Sequence, residues 1–178
     1  VPSGTTYLGE LEALGADAPH PLAEYSARFG EPGLRSIVAR SYLHLAGRAA
    51  SVFVPHLERR SPEQVCASNP GGCGELTDPG QFRVDVHGRH VPGLCTGISL
   101  PLEALGAELG PEFPLSSMLS REGISALYRL AVEQYGFAPE PGGYVSKCHL
   151  CQQVRRHLLS QGQYAQELGP RGFYDELE

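Results

Sequence analysis

The chain has 178 residues, 41% of them hydrophobic, with 14 Lys and Arg against 20 Asp and Glu for a formal net charge of -6. That length carries one domain, or one domain plus an arm. The acidic balance leaves too few cations for a broad basic face, which argues against nucleic acid as a partner. No apolar run approaches the roughly 18 residues of a bilayer span and no charged-then-apolar leader opens the chain, so the expectation is a cytoplasmic protein off the membrane.

Gly 22 and Pro 15 make up about a fifth of the residues, a composition that favours many short elements. Residues 1–33 read as a leader or linker arm, because Gly4, Gly9, Gly15, Pro19, Pro21, Gly30, Pro32 and Gly33 interrupt every candidate element. Leu8, Leu11 and Leu14 fit one or two helical turns. Residues 34–178 read as a cysteine-rich metal- or cluster-binding domain. Its first stretch, Leu34 to Val54, suits either one long helix or a helix followed by a strand, and Gly47 is placed to end an element. Ser61-Pro62-Glu63-Gln64 is a helix start: a hydroxyl cap, Pro at the first helical position, then an acid and an amide. That short helix carries Cys66 and stops at Asn69-Pro70-Gly71-Gly72.

Phe82 to Val86 alternates apolar and polar residues and predicts a strand with one buried face. His87-Gly88 is its turn, and Val91 to Leu100 returns as the second strand. Pro101 to Leu105 predicts a helix. Ser120 caps a helix bearing Ile124, Leu127, Tyr128, Leu130, Ala131 and Tyr135, ended by Gly136. Ser146 caps another, from Lys147 to about Ser160, with Leu150, Val154, Leu158 and Leu159 on its apolar face. The basic run Arg155-Arg156-His157 reads as a solvated face of that helix. Phe173 and Tyr174 are placed to dock the tail onto the body. The fold class is therefore α+β: a small β-hairpin or sheet, with another strand possible within 35–54, covered by several short helices around a cysteine-ligated metal centre.

The cysteines carry the chemistry. Cys148 and Cys151 lie one turn apart in the first turn of a helix, where backbone N–H groups and the helix dipole favour thiolate. A redox dithiol is the competing reading, but no βαβ strand precedes the pair. Cys73 enters the hairpin and Cys95 sits on its return, so the two thiols meet near the open end if the strands pair around His87-Gly88. Thiolates are soft ligands, and two such pairs make a tetrahedral sulfur cage for an iron–sulfur cluster or for zinc. Buried small hydrophobes and a disulfide-stapled domain are the plain alternatives, but five cysteines without an export signal favour metal. Cys66 is the spare. His87 and His90 read as turn residues, and His149 lies on a different helix face from its neighbouring cysteines. Glu75, Asp78 and Asp85 read as solvated polar residues near the site. There is no nucleophile elbow, no Walker loop and no G-x-G-x-x-G.

Two stretches carry a resemblance. One is CGELTDPGQFRVDVHGRHVPGLCTGISL, from Cys73 through Cys95. The other is KCHLCQQVRRHL followed by ELGPRGFY. Together they resemble the C-terminal region of radical SAM proteins that carry an additional iron–sulfur cluster, related to the SPASM and twitch extensions. There a cysteine precedes a hairpin, a glycine marks its turn, a second cysteine follows and later cysteines complete the ligand set. Cys73, Gly88, Cys95, Cys148 and Cys151 match that order, with a longer Gly88-to-Cys95 spacing. AGRAA at 46–50 resembles the last barrel segments of such proteins.

The resemblance implies a [4Fe–4S] cluster on Cys73, Cys95, Cys148 and Cys151. The cluster would relay electrons or position substrate beside an upstream radical SAM barrel, often with a peptide or protein as substrate. The C-x-x-x-C-x-x-C loop that holds the family's catalytic cluster is missing, so cleavage of S-adenosylmethionine is not expected of this chain and its own enzymatic activity stays open. The alternative function is a structural zinc module for protein interaction.

Overall fold

The computed structural model describes residues 8–15, 17–40, 48–78, 80–169 and 171–175. Gly47 and the first residues of the barrel-like 46–50 segment lie outside these ranges. The fold is mixed α+β with a two-stranded antiparallel sheet. The chain divides into two units, Val1–His44 with Pro55–Leu57, and Leu45–Val54 with Glu58–Glu178. No helix among the described residues is long and apolar enough to cross a membrane.

The first unit is helical where a loose arm was expected. Helix α1 spans Leu8–Leu14 and α2 spans Leu22–Arg40. Gly30 does break α2, with φ 68 and ψ 168, a conformation open to glycine alone. The chain nevertheless resumes a helix at once, so the expected boundary at 33/34 falls inside α2. Leu34 and Val38, four residues apart, are buried as the helical period requires. The strand considered within 35–54 is not present among the described residues: they continue α2 and then form α3, Arg48–Phe53.

The second unit begins with α3 and then α4, Pro62–Ala67. Ser61 caps α4 through a reciprocal capping box with Gln64, as the sequence predicts. Strands β1 (Phe82–Val84) and β2 (His90–Pro92) pair antiparallel with Val84 opposite His90. The turn is where expected, with Gly88 at φ 74, and the Asp85 carboxylate accepts from the His87 and Arg89 amides to close it. The burial pattern is the reverse of the expectation. All of β1 is exposed and Val86 is 94% exposed, whereas His90 and Pro92 of β2 are buried. Nothing in this sheet covers β1, whereas His90 forms a second backbone pair with Leu100 that carries β2 inward. The return strand also stops at Pro92, and residues 93–99 form a loop.

Helix α5, Pro114–Tyr135, is two helical stretches meeting at Gly123 (φ 73, ψ -159) and ending at Gly136 in the left-handed conformation. The second stretch is the predicted one. The first, Pro114–Glu122, takes in Ser120, which is therefore inside the helix rather than its cap, and Pro101–Leu105 yields only a single 3-10 turn. Helix α6, Lys147–Ser160, has the predicted Ser146 cap and buries Leu150, Val154, Leu158 and Leu159. It packs against α5 to form the core, together with Ile98, Leu100, Tyr144 and Leu168. A short α7, Arg171–Asp175, brings Tyr174 into that core, 1% exposed, so the tail docks as expected.

Candidate metal centre

Cys73, Cys95 and the Cys148/Cys151 pair arrive on three separate segments, each fixed by backbone chemistry. The Cys73 amide donates to the Leu119 carbonyl at 2.8 Å. This depends on two glycines. A Cβ at Gly72 would strike the Ser120 carbonyl, and a Cβ at Gly123 would strike the Gly71 carbonyl. The Gly71-Gly72 turn therefore lies directly on the break in α5, and Cys73 is delivered from it into the 3-10 turn Gly74–Leu76.

Cys95 sits in the 93–99 loop, its amide donating to the Pro92 carbonyl at 2.9 Å. Glu75 reaches across from the Cys73 segment and accepts from the Leu94 amide at 2.7 Å. Gly93, at φ 51, leaves room for that carboxylate. The far end of the loop is held by the tail, where Ile98 bridges Leu168 and the Tyr174 hydroxyl donates to the Gly97 carbonyl. Glu75 and Asp85 are thus loop braces rather than solvated residues, Asp85 accepting from Ser99 as well. Cys148 and Cys151 occupy the first turn of α6, where the His149 amide donates to Ser146 Oγ at 3.1 Å.

The thiols lie within electrostatic reach of one another. Burial pushes the Cys95 thiol up to about 12; Arg155 opposes the rise, and Cys151, Cys73 and Cys148 add to it. Burial pushes Cys148 up to about 12 as well, with Cys151 and Cys73 contributing. Cys151 is raised by burial, opposed by Arg155 and reinforced by Cys73. Burial and mutual repulsion as thiolates outweigh the Arg155 cation and keep these thiols raised; a bound metal would favour their thiolate forms. Among the described residues, no group of three or more His, Cys, Asp or Glu side chains is gathered so as to hold a metal ion. The four thiols therefore share one neighbourhood without closing onto a single ion.

The remaining candidates fall elsewhere. The Cys66 thiol, raised by burial, has Ser125 and Glu63 as its neighbours. His149 is buried against the Tyr144 ring, with centroids 5.4 Å apart, its pKa lowered by desolvation. His87 is in the turn, but His90 is a buried strand residue whose Nδ1 bonds the Pro101 carbonyl at 3.0 Å. A carbonyl accepts only, so that nitrogen carries the proton.

Two residues escaped the sequence reading. Arg155 was expected in solvent and is 2% exposed, because Cys148, Cys151 and Arg155 fall on one face of α6. It donates to the carbonyls of Cys151 and Thr96 and to the Tyr174 hydroxyl, while its neighbour His157 bonds the Tyr135 carbonyl at 2.7 Å. Glu167, buried, accepts from the Leu115 and Ser116 amides and so caps α5, whose own N-cap Phe113 has no acceptor to offer. Its only sequence trace is its place in the ELGPRGFY tail.

A cavity of about 350 Å³ adjoins the cysteine segments, lined in part by Leu76, Phe82, His90, Pro92, Leu109 and Arg121. Leu76 belongs to the turn that follows Cys73, and Pro92 accepts the Cys95 amide.

No family model matches the chain, and no curated protein or solved structure is significantly similar to it.

Proposed function

We propose that the second unit binds one [4Fe–4S] cluster through Cys73, Cys95, Cys148 and Cys151, and serves electron transfer or substrate positioning as the auxiliary-cluster part of a radical SAM enzyme acting on a peptide or protein. The observation that carries this reading is the convergence of three desolvated thiols, Cys95, Cys148 and Cys151, with Cys73 into one electrostatic neighbourhood from three segments. A tetrathiolate donor set fits an iron–sulfur cluster or zinc. The order of Cys73, Gly88, Cys95, Cys148 and Cys151, which resembles that of auxiliary-cluster regions, is what favours the cluster over zinc.

The bound cluster supplies one-electron chemistry. The protein's own part is to hold the four sulfurs, exclude water and offer donors. The first-turn amides of Lys147 and Cys148 have no helical carbonyl and are available to sulfur. The neighbouring cavity supplies room for a substrate group.

Anaerobic reconstitution with iron and sulfide tests the reading. The wild-type chain gains the broad visible absorption of an iron–sulfur centre, and Cys148→Ser and Cys151→Ser lose it, together with the metal-linked rise in melting temperature. A Cys148→Ser protein with a full complement of metal contradicts the ligand set. A colourless protein with about one zinc per chain supports a structural zinc module instead.

A further inference from the structure

We propose that Arg155 is the positioning residue that balances the charge of this centre and sets its reduction potential. The proposal rests on the cluster reading above.

Arg155 is nine-tenths buried and more, yet no carboxylate is ion-paired with it among the described residues. Its hydrogen bonds tie the cysteine segments together. Nη1 donates to the Thr96 carbonyl, next to Cys95, at 2.9 Å and to the Tyr174 hydroxyl at 3.0 Å, and Nε donates to the Cys151 carbonyl at 3.3 Å. The guanidinium carbon stands 5.9 Å from the Tyr174 ring centroid. Every one of these partners is neutral. A buried cation without an anion is costly to fold around, and arginine does not shed its proton.

A [4Fe–4S]²⁺ cluster on four thiolates carries a net charge of two minus and supplies the missing anion. Adding one electron from an external reductant makes the centre three minus, with no proton transferred and no bond broken. A fixed cation at its edge favours that reduced form more than the oxidised one. Arg155 therefore raises the potential.

The test is a redox titration of reconstituted protein with dithionite, comparing wild type, Arg155→Lys, Arg155→Met and Tyr174→Phe. Arg155→Met lowers the reduced-to-oxidised ratio at fixed solution potential at least tenfold, a shift of about 59 mV for a one-electron couple. Arg155→Lys, which keeps the charge, stays within about threefold of wild type, and Tyr174→Phe leaves the cation in place and behaves likewise. Where Arg155→Met assembles no cluster, retention by Arg155→Lys supports the proposal, and equal loss in both variants overturns it. An unchanged potential in Arg155→Met, with only the melting temperature reduced, overturns it and leaves the cluster reading intact. Wild-type protein that takes up no iron overturns both.

Discussion

The metal-free, reduced chain loses stability in alkali, and the loss is traceable to Cys95. That thiol is buried and pushed up from its ordinary 9.0 to about 12. An acid whose folded pKa is raised contributes its stability in full below the unfolded pKa and loses it as pH climbs toward the folded value. The sensitive window therefore runs from about pH 9 to pH 12. At pH 10.5 the unfolded thiol is ionised by a factor of roughly thirty and the folded one is not, which is worth about 2 kcal/mol at RT ln 30. Cys148, also raised to about 12, acts in the same direction, as does Tyr174, whose phenol is raised by burial. Set against a typical domain stability of about 5–15 kcal/mol, this is readily measured by urea unfolding at pH 8 and pH 10.5 under reductant and chelator. Cys95→Val removes about 2 kcal/mol of the pH dependence. Metal-loaded protein, its thiolates already formed, escapes the same loss over this range. A metal-free chain whose stability is flat between pH 8 and 10.5, or a Cys95→Val variant with the full wild-type slope, refutes the claim that the thiols are desolvated together.

The other expectations concern how the site is held. Gly123→Ala places a Cβ against the Gly71 carbonyl at a positive φ and costs about 3 kcal/mol or more, seen as a lowered urea midpoint; a loss below about 0.5 kcal/mol contradicts the close approach. Glu167→Gln keeps one acceptor but strands the second α5 amide and costs about 1–3 kcal/mol by the same assay. Cys66→Ser leaves iron per chain unchanged on reconstitution, and a large loss makes Cys66 a ligand.

What was legible in the sequence is what local chemistry decides. Ser61 with Gln64, Ser146 ahead of Lys147, Gly136 after Tyr135 and Gly88 in the turn each act through neighbours a few residues away, and each stands where it was expected. The failures arise where distant partners override a local signal. Gly30 was read as an interruption, yet helix continues past it, and Ser120, read as a helix cap, lies inside α5, whose two stretches meet at Gly123 where the Gly71 carbonyl fills the space a side chain would need. The alternation of Phe82 to Val86 promised a buried face that no layer in this sheet covers. Within the candidate site, the α6 pair was readable from its cap and period. The approach of Cys95 depended on Glu75, Gly93 and the docked tail, which no pattern announces. Arg155 looked like an ordinary cation near a helix end, and only the folded position of Thr96 and Tyr174 makes it an internal one.

Iron and acid-labile sulfide, assayed together on anaerobically reconstituted protein, bear most directly on the thiol centre. About four of each per chain is the result a [4Fe–4S] cluster requires, with both lost in Cys151→Ser. Stoichiometric zinc with no sulfide, or iron retained when Cys151 is replaced, contradicts it.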